Sequence, residues 1–214
     1  MAYLQRMVAT ASPSDVALFQ QAARKVCPFS ERALLAAGPS LRALSLLKGE
    51  AFLRANDRAH EVAVVVSGLL REYFLLPDGT ERTKAFIEPG AFSGSLADLI
   101  SGRPSRAWIV AEQPSRLLTL PAKEVVALAR RHASWARFRI RATEALLLLK
   151  AEREYELLGL DAAARYSAFQ QRYPGLESVV AARHVASYLG ITPVHLSRLR
   201  RQRSLAARAQ ARAR

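Results

Sequence analysis

Val185-Ala-Ser-Tyr-Leu-Gly-Ile-Thr-Pro-Val-His-Leu-Ser-Arg-Leu-Arg-Arg201 reads as a helix, a tight turn and a second helix. Val185, Leu189, Ile191, Leu196 and Leu199 are its apolar positions, and Ala186 is small where two helices would cross closely. Gly190 stands just past the first helix, where a residue of left-handed conformation is wanted. Thr192 can cap the free N–H groups of a new helix. Pro193 suits its first turn, where no N–H is needed.

With Leu196 and Leu199 inward, the helical period turns Val194, Ser197, Arg198 and Arg201 outward, flanked by His195 and Gln202. A short, polar, cationic face of this kind can lie in a major groove. Its amino-terminal residues, from Thr192 and Pro193 onward, then point toward the bases. Arg198 can bond a guanine edge bidentately, while flanking arginines such as Arg201 and Arg183 hold phosphates. The competing reading is a helical hairpin in an unrelated core, and charge separates the two. After Glu177 the chain has no acidic residue but eight arginines, from Arg183 to Arg214. So one-signed a field suits a polyanion, and double-stranded DNA is the expected partner.

The chain has 214 residues, half of them hydrophobic, enough for one large domain or two small ones. The net charge of +14 points to nucleic acid first and an anionic membrane second. No apolar run approaches the ~20 residues of a membrane helix. Val62–Val66 and Ala145–Leu149 are among the longest, and Met1–Arg6 begins no apolar signal segment. No membrane partner is expected. Cys27 is the only cysteine, so neither an internal disulfide nor a cysteine-held cluster forms within one chain, and a cytoplasmic location fits. Small β-rolls also host metal catalysis, which wants a His-x-His pair and a carboxylate. No such pair occurs, nor a serine nucleophile elbow, a P-loop or His-Glu-x-x-His. No catalytic residue, no resident metal and no enzyme activity are expected.

Along the chain, Ser14-Asp15 precede an amphipathic helix ended by Cys27-Pro28, and Ser30-Glu31 begin a short helical piece that stops at Gly38-Pro39. From Leu41 to Pro121 the segments are short and β-prone: 41–47, 51–54, 61–67, 69–76, 81–87, 105–111 and 115–120. Pro77-Asp78-Gly79-Thr80 is a strong turn between two of them. Such strands argue for a sandwich, roll or barrel. Helical pattern returns with 122–130 and a long stretch, 134–158, without Gly or Pro. Trp135, Phe138, Ala142, Leu146 and Leu149 recur there at heptad-like spacing, which predicts a seam against a second copy. Gly159-Leu160-Asp161 reads as a hinge with an N-cap, followed by a helix over 161–173. Ser204–Arg214, rich in Ala and Arg, is either a frayed helix or a basic arm. The expected fold is therefore α+β. A jelly-roll-like β-roll with flanking helices fills 1–132, a long dimerisation helix and hinge 133–160, and a helical helix-turn-helix domain with basic tail 161–214.

This order of parts resembles the Crp/Fnr family of bacterial transcription regulators over nearly the whole chain. The residues that carry it are Ala186–Pro193 and Leu196–Arg201, together with Val66–Leu70, Phe74–Thr80 and the stretch from Pro89-Gly-Ala-Phe92 to Trp108. The last is similar to the family's phosphate-binding cassette. The resemblance implies a homodimeric, effector-controlled protein with a cyclic nucleotide-binding-type roll and a winged helix-turn-helix. It would read an inverted repeat whose half-sites lie about 34 Å apart. RNA polymerase would be a further partner of an activator, although no motif marks a surface for it.

The cassette departs from the cyclic AMP-binding pattern. Gly94 is followed by Ser95 where those members have glutamate, and Ser105 stands where they have arginine. Arg106 comes one place later, and one step along a strand turns a side chain to the other face. The family's adenine-contacting pair falls near Lys150-Ala151. Cyclic AMP is therefore not expected. Three readings stay open: an empty relic, a different small anion held by Ser95, Arg106 and Lys150 beside Gly94 and Ser105, or signalling through a partner protein. Scattered histidines and the single cysteine leave no haem or iron–sulfur sensor. The alternative function is a nucleotide-sensing regulatory or scaffold subunit that docks a protein.

Overall fold

The computed structural model describes residues 7–212, and the amino-terminal reading of Met1–Arg6 lies outside them. Nine strands form two antiparallel sheets. The first contains β1 (Met7–Thr10), β2 (Arg42–Leu46), β9 (Ser115–Pro121), β4 (Glu61–Ser67) and β7 (Phe92–Ser93), in that order. The second contains β3 (Ala51–Leu53), β8 (Ala107–Ala111), β5 (Leu70–Leu75) and β6 (Glu81–Ile87), so β6 is an edge strand. Leu44, Leu46, Val65 and Leu117 from the first sheet meet Leu53, Leu70 and Ile109 from the second in the core of the roll. The first sheet is covered on its other face too. There Val64, Leu118 and Leu120 pack under α1 (Pro13–Val26), α2 (Glu31–Leu35), α4 (Ala122–Arg131) and the start of α5 (Ala133–Gly159). Burial on both faces explains why Val62–Val66 is an unbroken apolar run rather than an alternating one.

Several boundaries differ from the sequence reading. The cap of α1 is Ser12, not Ser14. Ser12 Oγ accepts from Asp15 N at 3.2 Å, Asp15 Oδ2 accepts from Ser12 N at 2.9 Å, and Pro13 takes the first helical position. Asp15 also accepts a bidentate pair from Arg116 on β9, at 2.5 and 2.7 Å. That guanidinium holds the buried carboxyl well below the usual carboxylate range. Strand β1, the two-residue β7 and α3 (Leu96–Ser101) were not anticipated. All three are too short to show a period, and tertiary pairing alone makes them regular.

The expected seam on α5 needs correction at its amino end. Trp135 and Phe138 are buried in the chain's own core. The Trp135 ring stacks on Phe19 with centroids 6.1 Å apart, and its Nε1 donates to Ala33 O at 2.7 Å. Phe138 meets Phe92 at 5.2 Å. Neither can face a second copy. Ala142 and Leu146 are half-buried, and Leu149 is exposed. Bare apolar side chains beside Leu149 are Ile140, Leu147, Leu148 and Leu158, exposed by 58, 65, 70 and 82 %. Helical geometry puts Ile140, Leu147, Ala151 and Leu158 in one stripe. The helix carries apolar residues on more than one face, so spacing alone could not tell which stripe the roll covers.

After α5 the chain turns at Leu160. Asp161 then caps α6 (Ala162–Arg172), accepting from Ala164 N at 2.8 Å. α7 (Ala182–Leu189) and α8 (Pro193–Arg212) follow. The described residues contain no strand after β9, so a wing is not among them, and α8 continues as one helix through most of the Ala/Arg tail. Helices α6–α8 share a core with two residues of the roll, Leu69 and Phe86.

Candidate nucleic-acid interface

Local rules build the helical pair. Gly190 closes α7 at φ 68°, a conformation L side chains rarely adopt. Thr192 Oγ1 accepts from His195 N at 3.2 Å, and Leu196 N donates to Thr192 O at 3.0 Å. Leu196 and Leu199 are buried against Val185, Ala186 and Leu189. The opposite face of α8 is bare: Thr192, Pro193, Val194, His195, Ser197, Arg198, Arg201 and Gln202 are all exposed. Arg198 and Arg201 take part in no ion pair among the described residues. Arg183, at the start of α7, is exposed as well, but its Nε donates to His184 Nε2 at 3.1 Å.

Not every arginine of this region is free. Arg200 grips Glu177 Oε1 through Nε at 3.0 Å and Nη2 at 2.8 Å, while Tyr166 and Gln170 donate to Glu177 Oε2. Burial pushes the Glu177 carboxyl up, and Arg200 with its neighbours pulls it below its ordinary value. Arg203 donates to Ser167 Oγ at 3.0 Å. These two clamp α8 to α6 and to the turn after it. The free cations of the described helix face are Arg198 and Arg201.

Sequence reasoning missed the polar groups that fix this helical unit in space. At the end of α5, Glu156 is 1 % exposed and accepts from Arg153 at 2.8 Å and from Arg172 at 2.5 and 3.2 Å. Arg172 also donates to Tyr188 OH at 2.7 Å, and the Arg153 guanidinium lies 3.8 Å from the centroid of the Tyr188 ring. On the other side α7 docks on the β6 edge. Ser187 Oγ donates to Glu81 O at 2.6 Å and accepts from Thr83 N at 2.8 Å, which satisfies part of an otherwise unpaired strand edge. Beside it Arg71 reaches Glu112 at 2.5 Å and Glu81 at 2.7 Å, and His184 Nδ1 meets Glu112 Oε2 at 3.0 Å. Burial pushes the Glu112 carboxyl up, but hydrogen bonds from His184 and Arg71 bring it down to about 2. Apart from Arg153 and Glu156, three residues apart on α5, the partners lie well separated in sequence, so no spacing signal announces them.

In the cassette, two of the expected positions are already bonded within the chain. Gly94 sits at φ 142°, and a Cβ there would lie 3.2 Å from Glu61 O. Ser95 is buried and its hydroxyl donates to Asp98 at 2.5 Å. Ser105, 1 % exposed, accepts from Ala107 N and donates to Ala107 O, both at 3.1 Å. Arg106 and Lys150 are exposed. The recess beside Gly94, lined by Phe52, Leu53, Ala59, His60 and Glu61, holds about 10 Å³, room for roughly one water. Of the five positions only Gly94 lines this recess.

Residues 43–132 match the family model of the cyclic nucleotide-binding domain. That stretch covers the roll from β2 to α4. No curated protein sequence matches the chain. Among solved structures, FixK2 from Bradyrhizobium japonicum superposes with a TM-score of 0.67 at 23 % identity, covering 77 % of this chain and 85 % of that one. A CooA mutant from Carboxydothermus hydrogenoformans gives 0.61 at 21 %, with 76 % of each chain covered. The Catabolite Activator Protein of Thermus thermophilus gives 0.52 at 24 %, with 85 % of each covered. The chain thus has a cyclic nucleotide-binding-type roll followed by a long helix and carboxy-terminal helices, an architecture shared with these proteins. No helix of the described residues is long and apolar enough to cross a membrane.

Proposed function

We propose that this chain is a DNA-binding transcription regulator of the Crp/Fnr type, acting as a homodimer on an inverted repeat. The observation that carries the reading is the outer face of α8: Arg198 and Arg201 stand unpaired beside exposed Thr192, Val194, His195 and Ser197. Arg198 reads a base edge, Arg201 and Arg183 hold phosphates, and no residue acts as a catalyst. The shared architecture with a catabolite activator protein supports a regulatory rather than an enzymatic role. Selection of bound sequences from a random duplex pool tests it. An enriched palindrome with half-sites one helical turn apart is expected. Binding without sequence preference at physiological salt would refute it.

Dimerisation is assigned to the exposed α5 stripe of Ile140, Leu147, Ala151 and Leu158, whose leucines otherwise stand in water. Leu147→Glu places a charge in that seam and should convert the protein to monomers in sedimentation, with no loss of unfolding midpoint for the monomer. A dimer unaffected by the change would move the interface elsewhere. The roll acts without cyclic AMP, because the hydroxyls of Ser95 and Ser105 are already engaged and Arg106 is exposed. A smaller anion reaching Arg106 or Lys150 from outside is compatible with this surface.

A further inference from the structure

The joint expected at Gly159-Leu160-Asp161 is bridged by side chains from both of its flanks. Before it, Arg153 and Glu156 stand near the end of α5; after it come Arg165 and Arg172 on α6 and Tyr188 on α7. Arg172 takes both oxygens of the buried Glu156 carboxylate, at 2.5 and 3.2 Å, and Arg153 shares one of them at 2.8 Å. Arg172 also donates to Tyr188 OH at 2.7 Å. The Arg153 guanidinium lies over the Tyr188 ring and donates to Tyr188 O. Arg165 donates to Leu189 O at 2.9 Å and to Leu160 O at 2.6 Å. The last carbonyls of a helix lack partners within it and form the negative end of its dipole, so guanidiniums from α5 and α6 suit the end of α7.

The roll holds α7 a second time. Ser187 bonds the β6 backbone at Glu81 and Thr83, and the Phe86 ring of β6 meets Tyr188 at 5.8 Å and Tyr173 at 5.7 Å. α5 is itself fixed to the roll at its amino end, where Trp135 and Phe138 are buried. A body held at two separated points cannot turn about a short joint without breaking one of them. Stripping a buried carboxylate of its partners is costly, which makes the Glu156 contact a firm one. Leu196 and Leu199, buried against α7, carry the constraint on to α8.

We infer that Glu156, with Arg153, Arg172 and Tyr188, forms a positioning clamp that fixes the direction of α8 relative to α5 and thereby sets a single spacing between operator half-sites; this rests on the DNA-binding and dimer readings above. α5 carries the apolar stripe assigned to the second copy. The angle between α5 and α8 therefore decides how far apart, and in what rotational phase, the two α8 helices stand. One base pair added between half-sites turns the second by about a tenth of a helical turn. A clamped pair of helices can follow only by distorting the DNA, whereas a jointed pair adapts.

The test is the affinity of the full chain for duplexes that carry the selected half-sites with the spacer lengthened or shortened by single base pairs, read by fluorescence anisotropy. Wild type should lose roughly tenfold for one base pair either way. Glu156→Gln should bind these spacers nearly alike while keeping its preference within each half-site. Tyr188→Phe keeps the ring beneath Arg153 and beside Phe86 but loses the bond to Arg172, and should give a partial loss of discrimination. Glu177→Gln disturbs a carboxylate that ties α8 to α6 inside the helical unit, and should keep the spacer preference whatever it does to affinity. A wild type indifferent to spacing, or a folded Glu156→Gln as discriminating as wild type, overturns the proposal; should Glu156→Gln not fold, a Tyr188→Phe with full discrimination does so. A second readout needs no DNA. Spin labels at Lys48→Cys on the roll and Ser197→Cys on α8, in a Cys27→Ala background diluted with unlabelled chain, should give a narrow distance distribution that Glu156→Gln broadens. An equally broad distribution without the substitution overturns the clamp. If the chain binds no DNA at all, the regulator reading fails, and the distances still decide the clamp.

Discussion

The outer face of α8 and the cassette between Pro89 and Trp108 are both polar stretches that carry an arginine, and they end up in opposite states. On α8 the polar groups stay free because the apolar set, Leu196 and Leu199, is fully used against α7. In the cassette two hydroxyls are consumed locally, Ser95 by Asp98 and Ser105 by the backbone of Ala107, while Ser93 Oγ and Trp108 Nε1 are buried without a hydrogen-bond partner. Gly94 persists because a side chain would press on the β4 backbone, a packing demand that holds with or without a ligand. The glycine of the cassette thus has a reason in packing that is independent of any ligand.

The sharpest test of this contrast lies in the contact that joins the two regions. Glu112→Gln removes a carboxylate whose folded-state value, about 2, lies below its ordinary 4.5. A lowered carboxyl stabilises the fold fully above about 4.5, and that contribution fades as pH falls toward about 2. The variant should lose on the order of 3 kcal/mol at neutral pH and show a weaker fall of stability with acid, read by urea unfolding across pH. Unfolding indistinguishable from wild type would mean that roll and α7 are independent, and the two regions would have to be compared as separate units. Next in size, Arg198→Ala should weaken binding to the selected operator by about 1–3 kcal/mol and relax the preference at one base pair. Arg106→Ala, its counterpart in the cassette, should leave operator affinity unchanged and stability within about 0.5 kcal/mol. Equal effects of the two would erase the contrast. The smallest expected effect is none: saturating cyclic AMP should not move the unfolding midpoint, whereas a true ligand at a hundred times its dissociation constant adds about 2.7 kcal/mol. A clear shift would show that the cassette opens.

Much of this was legible in the chain. Glu61–Ser67 and Glu81–Ile87 are strands with the bounds that β-prone runs between turn residues suggest. Thr192, Pro193 and Gly190 fix the helical pair through rules that act within four residues. The α5 seam was legible only in part. Trp135 and Phe138 share the spacing of an interface, but Phe19, Phe29 and Ala33, about a hundred residues earlier in the chain, claim them. The contact around Glu112 was not legible at all, and of the clamp around Glu156 only the i,i+3 spacing of Arg153 and Glu156 was. Arg71, Glu112 and His184 carry no mutual pattern, and each alone passes for a surface residue.

The sequence by itself placed Arg198 and Arg201 on the face of α8 opposite Leu196 and Leu199, because helix period and cap are local properties. Tertiary structure decided which side of α5 remains bare, that the Ser95 and Ser105 hydroxyls are spent, and that α7 rests on the β6 edge beside buried charges. Those outcomes depend on which surfaces meet, and burial is a property of the pair of surfaces rather than of either stretch of chain.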